Sequence, residues 1–177
     1  MINKTTYLPK DIVRPEEAEK PTVEDRLEIQ ELLARIYLAE DSRDTDALRQ
    51  CVSPDINHNH SLYGEVNGIE NFVDWVVSNP QFFDGLRHQV SNTATSSIAE
   101  KSARAVSYIQ VLQVHSDDQD VRAKLPRIIA QGVVRDVVVK LNGRWVIQKR
   151  TYDQLSILPE LIGDAEVLNS ASKSINT

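Results

Sequence analysis

The chain has 177 residues, 26 acidic against 20 basic side chains, a net charge of −6 and 41% hydrophobic content, the size and make-up of one globular domain. An acidic balance, with a pI near 5.2 and no Lys/Arg cluster interleaved with aromatics, excludes nucleic acid and anionic membrane from the expected partners. A lone cysteine, Cys51, rules out an internal disulfide and suggests no zinc site. The longest apolar runs, such as Val137-Val138-Val139, fall far short of the roughly 20 residues that cross a bilayer, and Met1 to Arg14 lack the apolar stretch of an export signal; a cytoplasmic, soluble protein is expected.

Residues 1–21 carry Pro9, Pro15 and Pro21 and the acidic patch Glu16-Glu17-Glu19, and read as an extended arm. A helix is predicted to start at Thr22, whose hydroxyl can cap it, with Asp25 in its first turn. Ile29, Leu32, Leu33, Ile36 and Tyr37 recur at threes and fours as its buried stripe. A second helix is predicted from Asp44, as cap, to Val52, with Pro54 ending it. Residues 55–63 alternate, which predicts a strand with Ile56, His58, His60 and Leu62 on one face. Gly68 opens a third helix, Ile69 to Ser78, burying Phe72, Val73, Val76 and Val77.

From there the period changes to two. Residues 86–98, 102–115, 127–140 and 144–153 are rich in Val, Ile, Thr and Tyr, and Asn142-Gly143 is a hairpin turn signal. Helices followed by antiparallel strands predict an α+β fold. Residues 116–126 read as a long acidic loop. An apolar piece around Leu155, Ile157, Leu158, Leu161 and Ile162 is expected to dock on the sheet, and 169–177 to be a disordered tail. The domain is thus expected at 22–153, between the arm and a C-terminal extension, 154–177. Apolar residues on both parities of 102–115 and 127–140 further predict a covered outer sheet face and self-association as a homodimer or homotrimer.

No G-x-S-x-G elbow, phosphate loop or G-x-G-x-x-G occurs, so covalent serine, nucleotide and dinucleotide chemistry are not expected. The informative residues are polar ones on apolar faces. Asp41 lies four residues after Tyr37 and eight after Leu33, on the buried stripe of the first helix, where a charge needs a partner. His88 shares a strand face with Leu86 and Val90, His58 and His60 with Ile56, and His115 with Ile109 and Val111. An Asp beside a His is the minimal general acid/base unit, because the carboxylate fixes the tautomer and favours the imidazolium. His58-x-His60 also has metal-ligand spacing, but the acid/base reading is preferred and no metal or cofactor is expected. Cys51 and Trp145 read as core. Tyr108, opposite in parity to His115, either lines a cavity or fills the outer face. Asp117-Asp118-Asp120 lacks the pattern of a calcium loop and reads as solvated.

Val23 to Leu33, Glu40-Asp41-Ser42-Arg43-Asp44, Cys51-Val52-Ser53-Pro54-Asp55, Leu86-Arg87-His88 and Asn142-Gly143-Arg144-Trp145 together resemble the SnoaL-like branch of the nuclear-transport-factor-2-like superfamily, over about residues 22–153. The resemblance implies a cone-shaped cystatin-like fold, in which a strongly curved antiparallel sheet wraps the N-terminal helices around an apolar pocket. Within the superfamily the pattern is most similar to scytalone dehydratase, and more distantly to the bile-acid dehydratase and the hexachlorocyclohexane dehydrochlorinase. That resemblance implies a helix-borne Asp at Asp41 beside a strand-borne His at His88, with a second histidine at His115, seven residues after Tyr108. Two tyrosines of the dehydratase pattern are replaced, by Glu40 and by His60, which changes the electrophilic side of the site.

The function expected is a cofactor-independent lyase or isomerase acting on a small apolar or cyclic carbonyl compound. Asp41, His88, His115 and His60 are its expected catalytic residues, and Tyr37, Tyr108, His58 and Glu40 the residues that hold the substrate. Two rival readings use the same cone: a ligand-binding module without chemistry, and a structural subunit resembling the β subunit of ring-hydroxylating dioxygenases.

Overall fold

A computed structural model describes residues 19–60 and 64–158. The arm before residue 19, Ser61, Leu62 and Tyr63 of the predicted strand, the apolar residues Leu161 and Ile162, and the tail 169–177 lie outside the described residues.

Helix α1 spans Val23–Ser42. The Thr22 hydroxyl accepts the Asp25 backbone N–H at 3.1 Å, satisfying one of the helix's free donors, and Arg43, at φ 50°, turns the chain out of the helix. Asp44 then caps α2, Thr45–Cys51, by accepting from the backbone of Asp46 and Ala47. Strand β1, Val52–His60, begins immediately, so Val52, expected to close the second helix, is already extended. A short strand β2, Gly64–Asn67, folds back antiparallel on β1; its four residues are too few for an alternation signal in the sequence. Helix α3, Ile69–Ser78, follows Gly68 as expected and buries Phe72, Val73 and Val76, while Val77 stays exposed.

Four long strands complete the fold: β3, Leu86–Ala99; β4, Ser102–Gln113; β5, Arg127–Leu141; and β6, Arg144–Ile157. The expected acidic loop between β4 and β5 contains one turn of helix, α4, Gln119–Arg122, because the Asp118 carboxylate caps it. Among the described residues there are six strands in the order β2-β1-β6-β5-β4-β3. Neighbours are antiparallel except β1 and β6, which run parallel, so the curved, unclosed sheet is mixed. The α+β cone is otherwise as expected: α1 packs across the concave side against β3 and β6, and one core joins Ile29, Leu33 and Ile36 of α1 to Ile109, Val134, Val138 and Ile147 of the sheet. No helix among the described residues is long and apolar enough to cross a membrane.

The pairing contains bulges, each of which changes the side-chain parity beyond it. Gln148 of β6 is extra between the pairs Val137↔Lys149 and Val138↔Ile147. Ile129 of β5 is extra between Val111↔Ala130 and Leu112↔Ile128. At Gly132, one residue of β5 faces two of β6.

The start of α1 is tied to the β5–β6 hairpin through one carboxylate. Asp25 Oδ1 accepts from Trp145 Nε1 and Lys140 Nζ, each at 2.8 Å, and Trp145 is core, as expected. Lys140, then the Thr22 hydroxyl and the Trp145 indole, hold the Asp25 carboxyl at about 2, below its ordinary 3.8. Asp25→Ala should therefore lower stability by about 1–3 kcal/mol by leaving the indole N–H unpaired, read as a lower urea midpoint. Since the shift is downward, the contribution is complete above about pH 4 and vanishes as pH falls through 2; the gap between wild type and variant should close over that range.

Candidate active site

The last turn of α1 and the first residues of β3 meet inside the cone. Asp41, on the stripe set by Leu33 and Tyr37, reaches His88: its Oδ1 is 2.7 Å from His88 Nδ1, and its Oδ2 accepts the His88 backbone N–H at 3.1 Å. Both side chains are largely buried, at 12% exposure for His88 and 8% for Asp41. A carboxylate on Nδ1 fixes the proton there and leaves Nε2 with the lone pair, the tautomer of a general base. Tyr37 stacks on the His88 ring at 5.8 Å and 9°, so the ring is held on its face as well as its edge.

His88 lies on the wall of a cavity of about 230 Å³. The other polar side chains lining it are chiefly Glu40, His58, His60 and Tyr152, and its apolar lining includes Trp75, Phe83, Ile109, Ile129 and Ile157. His58 is 2% exposed, packed between Phe72, Trp75 and Tyr152, with Nδ1 lacking a hydrogen-bond partner. Burial, then the neighbouring His60 and Arg150, hold His58 well below its ordinary 6.5. Burial, then His88, bring His60 down to about 4. Both imidazoles are therefore neutral at pH 7.

Behind the lining sits a charged cluster. Arg150 of β6 is 1% exposed and faces Asp136 across the β5–β6 ladder, donating from Nε at 2.8 Å and from Nη2 at 3.1 Å. Its guanidinium lies 4.7 Å from the centre of the Tyr37 ring, and its Nη1 is 3.7 Å from Glu40 Oε1. Burial raises the Glu40 carboxyl above its ordinary value, with Arg150 opposing. Burial also raises the phenols of Tyr37 and Tyr152, whose hydroxyls are 3.4 Å apart.

Of the residues expected from sequence, Asp41, His88, His60, His58, Glu40 and Tyr37 are brought together, and two are not. His115 lies past the end of β4, where Val114 and His115 both donate their backbone N–H to the Gly85 carbonyl. The ladder's alternation has ended there, and the side chain is 66% exposed, 3.5 Å from Asp117, outside the cavity. Tyr108 lies on the opposite sheet face from Ile109 and Val111, which line the cavity. Tyr37 is buried behind His88 and supports the ring without lining the cavity. Cys51 is core, with burial pushing its thiol up to about 11. Among the described residues no three His, Cys, Asp or Glu side chains are grouped as metal ligands.

Three residues of the site were missed: Arg150, Asp136 and Tyr152. Asp136 carried a signal, since it shares a parity with Val134 and Val138. Arg150 and Tyr152 did not, because strict alternation from Trp145 and Ile147 points Lys149 and Thr151 inward, and the bulge at Gln148 reverses this.

A histidine kept neutral by the fold binds its proton more weakly folded than unfolded, so it stabilises at high pH and loses that contribution as pH falls. For His60 the window runs from its ordinary 6.5 down to about 4. The chain should become easier to unfold across this range, and His60→Phe should flatten the dependence, as read from urea midpoints at pH 7 and pH 4.5.

A family model described as the SnoaL-like domain matches residues 21–151. Among solved structures, a protein of unknown function with a cystatin-like fold from Nostoc punctiforme is 25% identical with a TM-score of 0.64, over 75% of this chain and 92% of that one. LinA is 18% identical with a TM-score of 0.63, over 77% of this chain and 90% of its own. A scytalone dehydratase-like protein from Novosphingobium aromaticivorans is 17% identical with a TM-score of 0.62, over 76% and 87%. No curated protein matches the sequence. The structural likenesses carry the fold, and the family model carries the assignment: the chain belongs to the SnoaL-like domain family.

Proposed function

We propose that this protein is a cofactor-independent lyase of dehydratase type, or an isomerase, acting on a small, uncharged carbonyl compound. The observation that carries the reading is the 2.7 Å contact between Asp41 and His88 on the wall of an open cavity. The family includes dehydratases and isomerases, and LinA shares the fold.

His88 Nε2 takes a proton from a carbon next to the carbonyl, and Asp41 stabilises the imidazolium that forms. The neutral His60 offers a hydrogen bond to the substrate oxygen on which negative charge develops. Among the described residues lining the cavity there is no Lys or Arg, whereas Glu40 and Asp84 are present, which favours an uncharged substrate over an anionic one. A cavity of about 150 Å³ accepts a benzene ring; at about 230 Å³ this one suits a substituted ring or a small bicycle.

The test is a screen of one- and two-ring ketones and β-hydroxyketones, followed by NMR in D₂O for elimination or for exchange at the carbon next to the carbonyl. With the best substrate, His88→Ala should slow turnover by about 10²- to 10⁴-fold, and Asp41→Asn nearly as much, because the ring then loses the acceptor that fixes its tautomer. Compounds that bind tightly and are recovered unchanged from wild type, with no exchange, would show a binding module instead.

A further inference from the structure

Two carboxylates, Asp136 and Glu40, flank the cation behind the cavity, a third, Asp41, is paired with His88, and their hydrogen bonds are unequally shared. Asp136 receives two from Arg150. Asp41 receives the ring and backbone N–H of His88. Glu40 Oε1 is buried without a hydrogen-bond partner, and the nearest group of Arg150, Nη1, lies 3.7 Å away and is itself unpartnered. Arg150 can neutralise one of the two carboxylates beside it, and its geometry commits it to Asp136.

The groups that face Glu40 agree on where a proton would reside. Burial acts most strongly and favours the neutral acid; Arg150 on β6 and His88 on β3 oppose it, and Asp41 on α1 and Asp136 on β5 reinforce it. Tyr37 and Tyr152 are held as neutral phenols, and His58 and His60 of β1 as neutral imidazoles. Unlike Asp136, Glu40 also lines the cavity.

We propose that Glu40 is a neutral carboxylic acid at pH 7 and is the cavity's proton donor to the substrate oxygen, complementing His88 as base. The proposal rests on the acid/base reading above. With His60 neutral and His115 outside the cavity, Glu40 is the acid among the described lining residues whose position and protonation suit the task. In an elimination, His88 Nε2 takes the proton from carbon, and the C–H electron pair becomes the new C=C bond. The carbon–oxygen bond breaks with its pair moving to oxygen, which takes the Glu40 proton and leaves as water. His88 is then imidazolium and Glu40 carboxylate, and transfer of one proton from His88 to Glu40 through water resets both. In an isomerisation the carbonyl oxygen takes the same proton, giving an enol.

Infrared spectra of the protein without ligand, at pH 7 in H₂O and D₂O, test the protonation. A protonated-carboxyl C=O band that shifts in D₂O should be present in wild type and in His88→Ala and absent in Glu40→Gln. If Glu40→Gln removes only carboxylate absorption, the proposal is overturned. The donor role is tested by exchange of the protons beside the carbonyl of 2-tetralone in D₂O. Wild-type exchange should fall on the alkaline side as Glu40 ionises; Glu40→Gln should be about 10²-fold slower or more and lack that alkaline limb. A Glu40→Gln protein that keeps both rate and limb, or a wild type that does not accelerate exchange, overturns the donor role. A rate retained in His88→Ala, with the carboxyl band present, overturns the base assignment and leaves the protonation of Glu40 standing.

Discussion

A guanidinium buried to 1% exposure needs compensating partners, and the partners Arg150 has fix α1 against the sheet. The bidentate pair with Asp136 joins β5 to β6, and the Tyr37 ring over the guanidinium joins both strands to α1. Removing one partner of such a pair leaves an uncompensated buried charge, which costs about 3–5 kcal/mol, so the cluster has one low-energy arrangement. Tyr37 is the shared member: it meets Arg150 on the sheet side and stacks on His88. One turn further along α1, Asp41 reaches His88 at a distance that this packing determines. The Asp41–His88 pair thus inherits its geometry from a charge cluster whose Arg150, Asp136 and Tyr37 do not line the cavity.

The same cluster divides roles between adjacent residues. Glu40 and Asp41 follow one another on α1, yet they point to different neighbours: Asp41 to two N–H donors of β3, Glu40 to a guanidinium already committed elsewhere. A similar division separates the histidines. His58 and His60 are buried among aromatic rings and are driven neutral, whereas His88 has a carboxylate on Nδ1. Residues of one type thus acquire different partners and surroundings from their places in the fold.

What could be read from the sequence was whatever depended on unbroken periodicity. The α1 stripe runs without interruption from Ile29 to Tyr37, so Asp41 could be placed on it, and β3 keeps strict alternation over Leu86, His88 and Val90. Together these gave the pair. Parity failed where the ladder is irregular or has stopped. At Gln148 an extra residue reverses β6 and brings Arg150 and Tyr152 inside; after Gln113, β4 has ended and His115 turns out to solvent. A bulge is a property of two strands in register, so no single strand's sequence displays it. The parallel pairing of β1 with β6 was hidden for the same reason.

The bulges also show how the cavity's walls are built separately from its chemistry. Extra residue Ile129 and its neighbour Ala130 are both buried and both line the cavity, which strict alternation forbids. At Gly132 a Cβ would lie 2.8 Å from Leu155 Cδ1 and 3.2 Å from the Asp153 carbonyl oxygen. The side chain could shift, but the carbonyl is backbone, so glycine is what allows the end of β6 to close in on β5 and place Leu155 and Ile157 on the wall. None of these residues touches Arg150, Asp41 or His88 through any hydrogen bond or ion pair described above. Substitutions at Ile129, Leu155 or Ile157 can therefore reshape the cavity while the charge cluster holds the Asp41–His88 pair in place, a separation of wall from pair that suits a fold on which many functions are built.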